Sequence, residues 1–260
     1  MSLMFDSHSH VNAPQFDADR GEVLARMREA GMLGALVVAC DKADLERTTP
    51  LLEENPGFLV GAWALHPEYA VPEEEEPSVE EIVRINSAPS MVAVGETGLD
   101  YYWCKDKPLW QTERFIRHIE AAKILGKPLV IHARDAETEA LETLARHNAG
   151  EVGFVMHCFS GSLEDALRTV EIGGHVSFTG SITFKRNDEL REISRAVPLE
   201  RLLLETDCPY MAPVPFRGKR CEPVMVREIA QCHADLRGLK AADVIEQTGE
   251  NARALFHLDF

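Results

Sequence analysis

The stretch Leu129-Val130-Ile131-His132-Ala133-Arg134-Asp135 decides how this chain folds. Three apolar residues run without alternation into a histidine, and polar residues follow. An unbroken apolar run is what a strand buried on both faces looks like, as in a parallel sheet, whereas a half-exposed strand alternates. Segments of the same β-rich character recur on either side: Met4–His8, Gly34–Cys40, Leu59–Leu65, Met91–Glu96, Gly153–His157, His175–Phe178 and Leu202–Asp207. Together they predict eight parallel strands.

Helical periodicity fills the gaps. It is carried by Leu24/Met27/Ala30, Leu45/Leu51/Leu52, Phe115/Ile119/Ala122, Leu141/Leu144/Ala145 and Leu163/Leu167/Val170, then by Leu190–Ala196, Val224–Ala234 and Ala241–Leu255. Gly31, Gly126 and Gly173 follow helical patterns where a left-handed cap is wanted. Asp135 and Ser162 stand where helices begin and free N–H groups need acceptors. Glu73–Glu76, between prolines, reads as a solvated loop. Eight strand-then-helix units are the arithmetic of an α/β fold, a (β/α)8 TIM barrel. An open doubly wound sheet is the runner-up, but no G-x-G-x-x-G follows an early strand. No linker or repeat divides the chain, so one domain is expected over residues 4–260, with Met1-Ser2-Leu3 read as an expression scar.

Composition narrows the function. With 27 Lys+Arg against 43 Asp+Glu the net charge is −16, which opposes bulk association with nucleic acid or anionic membrane. The longest apolar runs, such as Leu33–Cys40, fall far short of the ~20 residues of a membrane span. No secretory signal opens the chain, and the six cysteines include no C-x-x-C pair, so a soluble cytoplasmic protein with reduced thiols is expected.

In such a barrel, chemistry collects where strands end. The first predicted strand ends in Asp6-Ser7-His8-Ser9-His10, the third in His66, the fourth in Glu96-Thr97-Gly98-Leu99-Asp100, the fifth in His132, the sixth in His157 and the eighth in Glu205-Thr206-Asp207. A single histidine is most often a hydrogen-bonded structural residue, and His118, His147, His175, His233 and His257 are read so. Imidazoles and carboxylates from many strands converging at one mouth are different, because a cation is their simplest common partner. His8 and His10, two apart on an extended strand, share a face. The Glu96 carboxylate can bridge two cations. One set is then His8, His10, Glu96 and Asp207, and the other is Glu96, His132 and His157.

The segments DSHSH, VGETGLDYY, VIHARDA, MHCFSG, LLLETDCPYMAP and PVPFRGKRCEP resemble the TatD family of metal-dependent deoxyribonucleases, in that family's order and over nearly the whole chain. The resemblance implies a TIM-barrel hydrolase with a divalent-metal centre that cleaves phosphodiester bonds in DNA from the 3′ end. The family's ligands fall on His8, His10, Glu96, His132, His157 and Asp207. Two departures stand in the last loop: Phe216 where the family usually has histidine, and Cys221 where it has asparagine.

Metal-assisted hydrolysis of the ester bond is therefore expected, with two divalent cations per chain, of magnesium, manganese or zinc. Asp207, beside ligating, is the candidate for orienting or deprotonating water, with Glu96 and Glu205 as further catalytic candidates. An ion pair serving structure is the alternative for Glu205, a loop cap for Asp100, and a structural role for His66 as against substrate contact. Cys158 and Cys208 are expected to turn away from the metals, and Cys40 is ambiguous.

A DNA substrate, single-stranded or entered from its 3′ end, must meet local positive charge. Arg134, Lys185, Arg217, Lys219 and Arg220, with Lys105, Lys107 and Arg186, all fall on loops of the metal-bearing face. Ordinary solvated loop charges are the alternative. Tyr101, Tyr102, Trp103 and Phe216 are candidates for base stacking or for packing loop on loop. Two rival functions remain: a binuclear hydrolase of another ester or amide, including an aminoacyl ester on tRNA, and a non-catalytic metal or nucleic-acid binding protein. Oligomeric state lies beyond the sequence.

Overall fold

The computed structural model describes residues 3–259, so Met1, Ser2 and Phe260 lie outside the described residues. Eight strands, β1 (Phe5–Ser9), β2 (Gly34–Ala39), β3 (Leu59–Trp63), β4 (Met91–Asp100), β5 (Leu129–Arg134), β6 (Phe154–Met156), β7 (His175–Phe178) and β8 (Leu202–Leu204), form one parallel sheet in sequence order. The sheet closes between its ends. Ser9 and Cys208 form a parallel bridge, and the Ser7 hydroxyl donates to the Leu204 carbonyl at 3.0 Å. The Thr206 N–H and hydroxyl donate to the buried Asp6 carboxylate at 2.8 and 2.5 Å. This is the barrel predicted from the strand count.

The helices are α1 (Arg20–Glu29), α2 (Lys42–Glu54), α3 (Val79–Asn86), α4 (Leu109–Leu125), α5 (Glu137–Arg146), α6 (Leu163–Glu171), α7 (Asp188–Ala196), α8 (Val226–Arg237) and α9 (Ala241–Phe256). Among the described residues there are thus nine, not eight. The sequence pattern passed over α3, whose short apolar stripe follows the acidic run; the two helices after β8 are both where the periodicity put them. Within that run Glu76 is not a solvated loop charge: the guanidinium groups of Arg114 and Arg117 on α4 both donate to it. Ser162 caps α6 as expected, accepting from the Asp165 N–H. Asp135 does not cap α5; it sits at φ +54°, and the Glu137 carboxylate takes the Ala136 N–H instead.

Strand alternation makes two cores. Ala35, Val37 and Ala39 of β2 face the helices. Leu36, Val38 and the following Cys40 face the barrel interior with Phe5, Val60, Ala62, Ala93, Val130, Val155 and Leu203. Ala252, Leu255 and Phe256 of α9 join that inner cluster, with the Phe5 and Phe256 rings 6.5 Å apart. α9 therefore seals the N-terminal end of the barrel, which leaves the opposite mouth open.

Candidate metal centre

Each side chain at the open mouth is aimed by the strand that carries it. His8 and His10 sit on the end of β1, where the His10 N–H donates to the Cys208 carbonyl at 2.9 Å and the Asp207 N–H to the His8 carbonyl at 3.0 Å. β4 runs four residues beyond its predicted end, carrying Glu96 and Asp100 beside β5, where Gly98 pairs with His132. A Cβ at Gly98 would stand 2.0 Å from the His132 carbonyl oxygen, and φ is +142°, so only glycine lets the two strands approach this closely here. β8 is shorter than expected and ends at Leu204, and Asp207 turns into the mouth through a left-handed φ of +55°.

Glu96 lies at the centre, with its two oxygens divided between opposite groups of imidazoles. Its Oε1 is 2.8 Å from His132 Nδ1, 3.3 Å from His157 Nε2 and 3.4 Å from His66 Nε2. Its Oε2 is 3.4 Å from His8 Nε2. Across the mouth, Asp207 Oδ1 lies 3.4 Å from His10 Nε2 and 3.9 Å from His8 Nε2. The six residues predicted as ligands are thus brought together, and His66 joins them from the loop after β3.

Partners behind the cluster set the rings. The Val38 carbonyl, 3.2 Å from His10 Nδ1, can only accept, so that nitrogen carries the proton and Nε2 faces the cluster as a lone pair. His132 Nε2 lies 2.9 Å from Asp100 Oδ2, which makes Asp100 an orienting carboxylate as well as a cap for the Trp103 N–H at 2.8 Å. Glu205, fully buried, accepts the Cys158 N–H at 2.5 Å and lies 3.1 Å from His157 Nδ1. It does not share the facing of Asp207, because the chain leaves the extended conformation between them. Sequence reasoning missed Asp6 altogether: this carboxylate, raised by burial to about 8, ties β8 to β1 beneath His8.

The local electrostatics follow. Burial alone would raise the Glu96 carboxyl, but His157, His66 and His132 outweigh it and hold it well below its ordinary range. Burial likewise opposes charge on His132, yet Asp100 and Glu96 on its two nitrogens push it up to about 9. His157 is raised against burial by Glu205 and Glu96, and His10 by Asp207. His8 is lowered, by burial and by the His157 ring stacked 3.6 Å from its own.

This donor set fits divalent cations. His8 Nε2 and His10 Nε2 lie only 3.2 Å apart, and a cation between them and the Glu96 and Asp207 oxygens satisfies four donors that otherwise crowd one another. On the other side of Glu96, ligand atoms of His66 and His132 gather with it, and those of His157 gather with it and His8, each group within 4.8 Å. Mixed nitrogen and oxygen donors suit zinc, manganese or cobalt more than magnesium alone.

Above the cluster opens a cavity of about 1150 Å³, lined among others by Asn12, Tyr69, Trp103, Arg134, Ser160 and Tyr210. Of the predicted substrate contacts, His66 and Arg134 line it; Lys185, Arg217, Lys219 and Arg220 do not. Arg220 donates to both Asp19 oxygens at 2.7 and 2.6 Å and to Glu222 at 3.2 Å, so its charge is already neutralised. Arg217 and Lys219 lie over Phe184 and Phe216 at 4.3 and 5.9 Å. Of the aromatic candidates, Tyr101 is buried and Trp103 is 59% exposed at the rim. The cavity also receives Cys40, which the sequence left ambiguous at the end of the second strand, and Asp44 and Glu68, which no strand-end pattern marked.

The family described as TatD related DNase matches residues 5–257. The uncharacterized metal-dependent hydrolase YabD of Bacillus subtilis is 37% identical over 257 residues, covering 99% of this chain and 100% of the relative. The 3′-5′ ssDNA/RNA exonuclease TatD of Erwinia billingiae is 33% identical, covering 98% and 99%. Among solved structures, YjjV, a TatD homologue from Escherichia coli K12, superposes with a TM-score of 0.87 at 29% identity over 99% of both chains.

Proposed function

We propose that this chain, which belongs to the TatD related DNase family of metal-dependent hydrolases, is an exonuclease that removes nucleotides from the 3′ end of single-stranded DNA. The observation that carries the reading is the division of the Glu96 oxygens between His132 and His157 on one side and His8 on the other, as a bridge between two cations requires. His8, His10, Glu96 and Asp207 would hold one cation, and Glu96, His132 and His157 the other. Divalent cations there would supply Lewis acidity toward a phosphoryl oxygen and a nucleophile at neutral pH.

The chain's own residues supply the rest. Asp207 is held ionised: burial would raise its carboxyl, but His10, His157 and His8 lower it, so it can take a proton from an attacking water. Arg134 stands at the rim with its guanidinium 3.9 Å over the Tyr102 ring, free to meet a backbone phosphate. Trp103, edge-on to Tyr102 at 4.9 Å, offers an indole face on which an unpaired base can stack. A base within a duplex has no free face for it, which supports a single-stranded substrate. The name of the Erwinia billingiae relative supports the polarity.

The test is time-resolved cleavage of 5′-labelled single-stranded DNA with magnesium, manganese and zinc separately, comparing wild type with Glu96→Ala. A metal-dependent ladder shortening from the 3′ end and lost in the variant is expected. Intact DNA under every metal, with cation occupancy confirmed, would move the substrate to a smaller ester.

A further inference from the structure

The barrel mouth holds a sulfur donor that the predicted ligand set does not include. Strand alternation turns Leu36, Val38 and Cys40 into the barrel, and Cys40 is the last of them, at the level of the metal cluster. Its backbone is clamped from both sides: its N–H donates to Asp44 Oδ2 at 3.3 Å, and its carbonyl accepts from the His66 N–H at 2.9 Å. The side chain is buried, and its sulfur stands 3.9 Å from Glu96 Oε2, the oxygen that also faces His8. Ligand atoms of His10, Cys40 and Glu96 all fall within 4.8 Å of one another.

Those distances match a shared cation. Metal–ligand bonds of ~2.0–2.3 Å place neighbouring donors on one five-coordinate ion roughly 2.8–4.0 Å apart, a range that the sulfur and Glu96 already meet. The neighbouring thiol behaves differently: Cys158 Sγ turns to the Thr179 hydroxyl at 3.7 Å, and its backbone is taken by Glu205. Cys208 and Cys221 sit in the packed seam behind Asp207 and do not line the cavity.

We infer that Cys40 is a further donor to the cation held by His8, His10, Glu96 and Asp207, and that it biases this position toward thiophilic divalent ions over magnesium. The inference rests on the reading of the cluster as a metal centre. As the metal–sulfur bond forms, the thiol proton leaves to solvent. A soft thiolate favours zinc, cobalt or cadmium, whereas magnesium keeps oxygen donors and water, so one side chain changes which ion occupies the site.

The test uses the whole protein loaded with cobalt. Wild type is expected to show visible d–d bands together with a sulfur-to-cobalt charge-transfer band in the near ultraviolet. Cys40→Ser and Cys40→Ala are expected to keep cobalt and the visible bands, to lose the charge-transfer band, and to bind cadmium about tenfold or more weakly with magnesium affinity unchanged. Cobalt bound to wild type without the charge-transfer band overturns the inference, as does a band that survives in both variants. Failure of wild type to bind cobalt at all overturns the metal-centre reading beneath it.

Discussion

Asp100 Oδ2 and His132 Nε2 lie 2.9 Å apart, while the other nitrogen of the same ring lies 2.8 Å from Glu96. A ring held between two carboxylates has one face committed to orientation and the other to ligation. Asp100→Asn removes the orienting charge without removing a ligand. Carboxylates in this position typically contribute 10–100-fold to metal affinity, and a loss of about that size is expected in a chelator competition titration, with the melting temperature little changed.

The two arginines that looked alike in sequence are expected to separate in kinetics. Arg134→Ala should raise KM for single-stranded DNA and lower the log–log salt slope by about 0.7, the loss of one phosphate contact. Arg220→Ala should leave both unchanged and lower the melting temperature, because its partners are Asp19 and Glu222. Steady-state kinetics at several salt concentrations check the pair.

Gly98→Ala sets a methyl group against the His132 backbone at a φ that alanine disfavours. A cost of at least about 1–3 kcal/mol is expected. Because the strain falls between Glu96 and His132, metal affinity should fall with stability, which calorimetry on the same sample reads together.

His118 is buried between the Leu65 N–H, 3.4 Å from Nε2, and the Arg114 carbonyl, 2.8 Å from Nδ1. Burial pushes it down to about 3. The unfolded chain takes up this proton near 6.5 and the folded chain only near 3, so the contribution is intact above 6.5 and declines as pH falls through that window. The slope is about 1.4 kcal/mol per pH unit. Urea unfolding of His118→Asn between about pH 6 and 4 should show a shallower decline than wild type by that amount.

Much of this was legible because buried parallel strands leave apolar runs that end abruptly, as Leu129–Ile131 does before His132. The six ligand candidates follow from that rule together with the shared facing of His8 and His10 and the convergence of imidazoles and carboxylates at strand ends. What escaped it depends on distant partners or on backbone turns. The α3 stripe is short, with Ile82 its one fully buried apolar residue, and it lies beside acids that mask its period. The turn at Asp207 has no signature in Leu-Leu-Leu-Glu-Thr-Asp, where every residue can continue a strand. Arg220 reads as a free cation until folding brings Asp19, 201 positions away, against it. Cys40 stays ambiguous at the end of Val37-Val38-Ala39-Cys40 until the barrel closes and its sulfur meets Glu96.

The tie between Asp6 and Thr206 spans 200 positions, and it lies directly beneath His8. Its formation encloses about three quarters of the chain in one loop, so it gains nothing until every intervening strand is in place. His8 and His10 stand on one side of that seam and Asp207 on the other. Half of the donor cluster is consequently a latch across the barrel's last joint: an ion gripped there would hold the first and final strands together, and withdrawing it should loosen hydrogen-exchange protection at β1 and β8 before any other part of the wall.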